Sequence, residues 1–73
     1  MNQEYAEAWN NKGNALSIQG KYNEAIEAYY EAIRLDSNLA GTWNNKGLAL
    51  AGLGRNAEAD APFAKASELG YRG

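Results

Sequence analysis

The chain contains the five-residue sequence Trp-Asn-Asn-Lys-Gly twice, beginning at Trp9 and again at Trp43. The two copies are 34 residues apart, and matching residues continue at the same offset on both sides of them. A fixed period of roughly 20–50 residues is typical of proteins that stack one structural unit several times. We therefore predict one domain, residues 1–73, that contains the same unit at about 6–39 and again at about 40–73. Any binding surface should then be built from repeated elements rather than from a unique pocket.

Apolar and small residues recur at helical spacing in each repeat, which predicts two helices per repeat. The residues expected to build the packing between helices are Trp9, Gly13, Leu16, Ala25, Tyr29, Trp43, Gly47 and Leu50. No stretch has the alternating pattern of a strand, so the expected class is all-α. Gly20 and Gly54 follow the first helix of each repeat and favour its termination there. The predicted helices span about 3–19, 22–35, 39–53 and 56–69.

Three details of these helices call for a physical reason. A glycine inside a helix costs about 1 kcal/mol relative to alanine, so its recurrence at Gly13 and Gly47 predicts close approach of a neighbouring helix. Asn23 and Asn56 are expected to cap the second helix of each repeat. Pro62 lies beyond the first turn of the last helix and should either kink that helix or delay its start.

The composition excludes several classes of function. His and Cys are both absent, which removes the residues of most nucleophilic triads, the commonest metal ligands and any disulfide. The net charge is −2 with acids and bases interleaved, whereas nucleic-acid binding requires a basic stripe. No apolar run approaches the ~20 residues of a membrane span, and no signal peptide is evident. We expect a cytoplasmic protein without catalytic residues, cofactor, metal, or nucleic-acid and membrane partners, in which Glu24, Glu27 and Glu31 form a solvated acidic face.

The pattern Trp-x-x-Lys-Gly-x-x-Leu, followed by Ala-x-x-x-Tyr or Ala-x-x-x-Phe, resembles the tetratricopeptide repeat, a helix–turn–helix unit of about 34 residues. The resemblance covers residues 6–73. It implies an α-solenoid of four antiparallel helices with right-handed superhelical stacking, in which the first helix of each repeat lines a concave groove. Lys12 and Lys46 stand where the family usually has leucine, and their stems are expected to cover apolar surface while the amines reach water.

The first helices also carry polar residues on one face, away from the tryptophans. The residues expected to bind a protein or peptide partner there are Asn10, Asn14, Asn44, Asn45 and Leu48. Because asparagine carries both a donor and an acceptor, this ladder suits the backbone of an extended peptide or the polar side chains of a helix. A solvated face without a ligand is an equal alternative. A clamp for a C-terminal carboxylate, found in some members of the resembled family, is matched at Asn14 and Asn45, but Asn10 replaces its lysine.

Self-association is the alternative function. Only four residues follow Leu69, so no further helix is predicted to cover Ala59, Phe63 and Ala66. An uncovered apolar edge is typical of an association surface. This predicts either a piece of a longer array or a homodimer or higher oligomer, formed by end-to-end stacking or by exchange of helices.

Overall fold

A computed structural model of the protein describes residues 3–71, which form four α-helices. The helices are α1 (Gln3–Ile18), α2 (Tyr22–Leu35), α3 (Ala40–Gly52) and α4 (Asn56–Glu68). Short connections join them, and such connections place successive helices antiparallel. The all-α prediction is confirmed, and every predicted helix end lies within one residue of the observed end.

A glycine in the left-handed region ends the first helix of each repeat. Gly20 has φ 80° and Gly54 has φ 79°. After Gly20, the backbone N–H of Lys21 donates to the carbonyl of Leu16 at 2.9 Å. This bond satisfies a carbonyl at the helix end, and the positive φ that it requires costs glycine little.

The N-terminal ends of α2 and α4 differ from the prediction. The N-cap positions are occupied by Lys21 and Arg55, and neither makes a side-chain capping hydrogen bond. The prediction that Asn23 and Asn56 are the capping residues is therefore wrong. The turn that each glycine forms is short, so helical geometry resumes at Tyr22 and at Asn56, and both asparagines already lie inside the first turn.

The helices pack in chain order, α1 on α2, α2 on α3 and α3 on α4, with a narrower contact between α1 and α3. The centre of the core is formed by Ala25, Tyr29 and Ala49, with Leu16, Tyr22 and Ile26 against it. Helix α2 therefore contacts a helix on each of two sides. Among the described helices, α4 packs against α3 alone.

Glycines at matched positions permit the closest helix contacts within each repeat. A Cβ atom at Gly13 would lie 2.5 Å from Cε1 of Tyr29, and one at Gly47 would lie 2.6 Å from Cε1 of Phe63. Real Cβ atoms essentially never come so close to another heavy atom. The close approach that the sequence predicts is thus present in both repeats, and it explains why each repeat places a glycine inside its first helix.

Pro62 is buried in the interior of α4. The helix begins at Asn56 and continues to Glu68, so the predicted delay of its start is wrong. Because proline has no N–H, the carbonyl of Glu58 loses its helical hydrogen-bond donor.

The residues predicted to form an uncovered edge on α4 face inward. Ala59 is 2% exposed and Ala66 is 1% exposed, and the half-buried ring of Phe63 lies against Gly47 of α3. The prediction that they lie uncovered is wrong, because α4 turns this side toward α3.

The outer side of α4 is polar where α2 is apolar. Tyr22 and Ile26 of α2 pack into the core. Their counterparts in the second repeat are Asn56 and Asp60, and both are exposed. The two repeats therefore have the same arrangement of helices but differ in the chemistry of this face.

Candidate functional site

A groove of about 460 Å³ runs between α1 and α3, and we call it the α1–α3 groove. It is lined by Asn14, Ser17, Ile18, Tyr22, Tyr29, Asn45, Leu48 and Ala49. Asn14, Asn45 and Leu48, three of the five residues that the sequence predicts for partner binding, therefore share one surface. None of the residues that line the groove in the described part of the chain is charged.

A chain of hydrogen bonds links the groove to the core. The hydroxyl of Tyr29 donates to Oδ1 of Asn14 at 2.6 Å, and Oγ of Ser17 lies 3.2 Å from the same hydroxyl. Since a phenol has a single hydrogen, Ser17 is the donor of the second bond. Asn14 thus uses its carbonyl oxygen on Tyr29, and its Nδ2 group is left to donate to a ligand.

The environment keeps the hydroxyl of Tyr29 protonated. Its side chain is 1% exposed. This burial raises the pKa of Tyr29, and the hydrogen bond from Ser17 opposes that rise only in part. Tyr29 therefore keeps its hydrogen across the neutral pH range and donates it to Oδ1 of Asn14.

A hydrogen bond joins α1 and α3 beside the groove. Nδ2 of Asn45 donates to Oδ1 of Asn10 at 3.2 Å. Asn10 lines an adjoining depression of about 350 Å³, together with Glu7 and Gly41 among others. Each of the two asparagines keeps further hydrogen-bonding capacity, since an amide side chain offers two donors and an acceptor. Asn44, also predicted for binding, is half-buried and is not among the residues that line either space.

Two aliphatic side chains are exposed at the groove, one from each helix. Ile18 of α1 is 87% exposed and Leu48 of α3 is 55% exposed. Ile18 is not among the residues predicted for binding, although it lies four residues after Asn14 and so on the same face of α1. Tyr22 was also missed, and no spacing indicates it: it comes from α2 and reaches the groove because Gly52 leaves room for its ring, with the nearest ring atom 2.8 Å from where a Cβ would lie.

The second repeat replaces the hydrogen-bonded residues by apolar ones. The counterparts of Asn14, Ser17 and Tyr29 are Leu48, Ala51 and Phe63. A phenylalanine ring has no hydroxyl to satisfy, so its neighbours need no polar groups. As a result the α1 wall of the groove is polar near Asn14, whereas the α3 wall is apolar at Leu48.

A larger cleft, of about 650 Å³, lies between α1 and α2. It is lined by Trp9, Lys12, Leu16, Glu24, Ile26, Glu27, Ala28, Tyr30, Glu31 and Lys46. The Nζ atom of Lys12 lies 5.0 Å from the centroid of the Trp9 ring. In the second repeat, Nζ of Lys46 lies 5.8 Å from the Trp43 ring and 5.9 Å from the ring of Tyr30, which belongs to the preceding helix. Both lysines that line the cleft thus have their amines near an aromatic ring, Lys12 at Trp9 within α1 and Lys46 at Tyr30 where α2 meets α3.

The acidic residues of α2 lie at the surface. Glu24 and Glu27 are exposed, and Glu31 forms an ion pair with Arg34, with 2.9 Å between Nη2 and Oε1. Within residues 3–71, no cluster of acidic side chains has the arrangement of a metal site. In the same part of the chain, none of the helices combines the length and apolarity needed to cross a membrane.

Family models described as tetratricopeptide repeat match residues 6–39 and residues 40–69. The chain belongs to the tetratricopeptide repeat family. The first match contains α1 and α2, and the second contains α3 and α4. The resemblance seen in the sequence is therefore confirmed. A comparison with curated protein sequences finds no match.

Tetratricopeptide repeats generally mediate protein–protein interaction, and the family typically consists of non-enzymatic modules. Asn14 and Asn45, the two residues that resemble positions of a carboxylate clamp, do line one groove in this tetratricopeptide domain. However, no cation is among the described residues that line it. A carboxylate placed there would therefore lack the charge-assisted bonds that make such contacts strong.

Proposed function

We propose that the protein is an interaction module that binds a peptide or protein partner on the concave face formed by α1 and α3. The observation that carries this proposal is the position of Asn14, Asn45 and Leu48 in one groove, next to the depression at Asn10. Their hydrogen-bonding groups and exposed apolar surface are the features by which a protein surface holds a polypeptide.

The dimensions of the groove suit a short segment of a partner. A volume of about 460 Å³ lies within the range of roughly 300–1,000 Å³ that is usual for ligand sites. It accommodates one or two side chains of a partner rather than a whole domain. The adjoining depression at Asn10 would receive the neighbouring residues of the same segment.

The proposal is tested by affinity capture from a lysate with matched variants of the whole chain. The binding-face variant combines Asn45→Ala with Leu48→Ser, and the control is Tyr5→Ser, which changes an exposed side chain of α1 that does not line the groove. We expect a partner retained by the native chain and by the control but lost by the binding-face variant. Far-UV circular dichroism verifies that all three chains are folded. Equal capture by all three would exclude the α1–α3 face as the site.

A second candidate function is self-assembly by exchange of α4 between two copies. It is supported by the packing of α4 against α3 alone among the described helices. Exchange would preserve the contacts of Ala59, Phe63 and Ala66, because the same residues would meet α3 of the other copy. Sedimentation equilibrium from micromolar to millimolar concentration tests this function. A mass near twice 7.9 kDa supports it, and 7.9 kDa throughout rejects it.

A further inference from the structure

We propose that the α1–α3 groove binds an internal, extended peptide segment through one uncharged apolar side chain, and not through a C-terminal carboxylate. This inference rests on the proposed function, since it specifies the chemistry of the partner that the same groove accepts. Three independent features of the groove support it: its apolar walls, the direction of its hydrogen-bonding groups, and its lack of charge.

The apolar walls can contact one apolar side chain of the partner. Ile18 and Leu48 line the groove from α1 and from α3, and they are 87% and 55% exposed. Buried Ala49 is small, and Tyr22 contributes an aromatic ring to the same lining. An apolar side chain that enters between Ile18 and Leu48 removes both from water, which is favourable in proportion to the apolar area covered.

The hydrogen-bonding groups favour an extended segment over a helix. Because Oδ1 of Asn14 accepts from Tyr29, the group that Asn14 offers to the groove is its Nδ2 donor. Because Nδ2 of Asn45 donates one of its two hydrogens to Asn10, Asn45 retains its Oδ1 acceptor and one hydrogen. A donor and an acceptor on opposite walls match the carbonyl and N–H of a peptide backbone. A helical partner has already paired these groups internally, whereas an extended segment presents them.

The absence of charged side chains in the groove excludes a terminal carboxylate as the main contact. No charged side chain lines it in the part of the chain that the structure describes. The nearby lysines of the first helices, Lys12 and Lys46, have their amines over aromatic rings in the α1–α2 cleft. A carboxylate in the groove would lose hydration without gaining a cation, which is unfavourable.

The test is a titration of the isotope-labelled full chain, followed by NMR, with four peptides of glycine and serine that differ at one point. Three are blocked at both termini and carry a central leucine, serine or glutamate. The fourth carries the leucine and has a free C-terminal carboxylate. We expect the blocked leucine peptide to shift the methyl signals of Ile18 and Leu48 and the side-chain amide of Asn14. The serine and glutamate peptides should bind about tenfold more weakly or not at all, and the free carboxylate should leave the dissociation constant unchanged.

Variants of the groove give a second measurement. Ile18→Ser should weaken binding of the leucine peptide about tenfold. Since Ile18 is exposed, this variant is expected to fold. The matched control is Tyr5→Ser, which also removes an exposed apolar side chain from α1 but lies outside the groove. It should bind the peptide as the native chain does.

The outcomes separate this inference from the proposed function. If the glutamate peptide or the free-carboxylate peptide binds the groove more tightly than the blocked leucine peptide, the inference is wrong but the groove remains the binding site. It is also wrong if the leucine binds better within a helical peptide, or if no peptide shifts the groove. If the leucine peptide shifts signals only on another face, both this inference and the proposed function are wrong.

Discussion

At the scale of single residues, Tyr29 connects the core to the groove, and its hydroxyl can be removed without changing the shape of the ring. Tyr29→Phe should lower the free energy of unfolding by about 1–3 kcal/mol, because the hydroxyl takes part in two hydrogen bonds, with Asn14 and with Ser17. The triple variant that adds Asn14→Leu and Ser17→Ala should be at least as stable as Tyr29→Phe. The second repeat contains this apolar set at the equivalent positions. Urea unfolding measures the free energy of unfolding of the native chain and of both variants. A triple variant less stable than Tyr29→Phe would contradict the interpretation.

The same hydroxyl predicts how stability depends on alkaline pH. Burial raises the pKa of Tyr29 above its ordinary value of 10.0. A group whose pKa is raised by folding contributes stability that is complete below the unfolded pKa and is lost as pH rises through the folded pKa. The free energy of unfolding of the native chain should therefore fall above about pH 10, and it should fall less in Tyr29→Phe. Urea unfolding at several alkaline pH values, with tyrosinate absorbance as the titration signal, makes this comparison. Equal slopes in the two chains would contradict it.

Two glycines of the first helices should respond to alanine in opposite directions. Gly13→Ala places a Cβ 2.5 Å from a ring atom of Tyr29, and overpacking of this kind typically costs roughly 1–3 kcal/mol. Gly41 has open space at its Cβ position and lies in α3, so Gly41→Ala should raise stability by up to about 1 kcal/mol through helix propensity. Thermal unfolding of both variants is the measurement. A Gly13→Ala chain as stable as Gly41→Ala would show that Tyr29 can move aside.

At the scale of helices, the sequence predicts the elements well and the groove only in part. The helix ends are predictable because Gly20 and Gly54 stop the first helices at fixed positions and the apolar spacing continues between the stops. Asn14, Asn45 and Leu48 are predictable as a group because they lie on one face of α1 or α3. Tyr22 cannot be predicted, because its place in the groove depends on how α2 crosses α3 at Gly52, and a helical period contains no information about that crossing.

Pro62 is the clearest defect within a helix. A proline inside a helix costs about 3 kcal/mol through its missing hydrogen bond and the clash of its ring, and its counterpart in α2 is Ala28. Pro62→Ala should raise the free energy of unfolding by roughly 1–2 kcal/mol, somewhat less than the full cost because proline is buried and alanine is smaller. The reciprocal change, Ala28→Pro, should be strongly destabilising. Urea unfolding checks both changes, and a Pro62→Ala chain no more stable than the native one would mean that α4 has already adapted to the proline.

At the scale of the whole molecule, the second helices of the two repeats differ in the chemistry of one face. α2 presents Tyr22 and Ile26 to the core beside α3, whereas the equivalent Asn56 and Asp60 of α4 are exposed and polar. Terminal units of stacked arrays have a polar outer face of this kind, which keeps them from associating. The chemistry of α4 therefore disfavours end-to-end stacking through its outer side, independently of any exchange of helices.

Association should therefore be introduced when α4 is given the apolar residues that α2 has at the equivalent positions. A variant with Asn56→Tyr and Asp60→Ile gives α4 an exposed apolar face, and its mean mass in sedimentation equilibrium should exceed that of the native chain at the same concentration. The matched control is Glu68→Ile, because the counterpart of this position, Arg34, stays exposed although α3 packs on α2. The control should therefore sediment as the native chain does. If the double variant also sediments like the native chain, the polarity of Asn56 and Asp60 is not what keeps the outer side of α4 from associating.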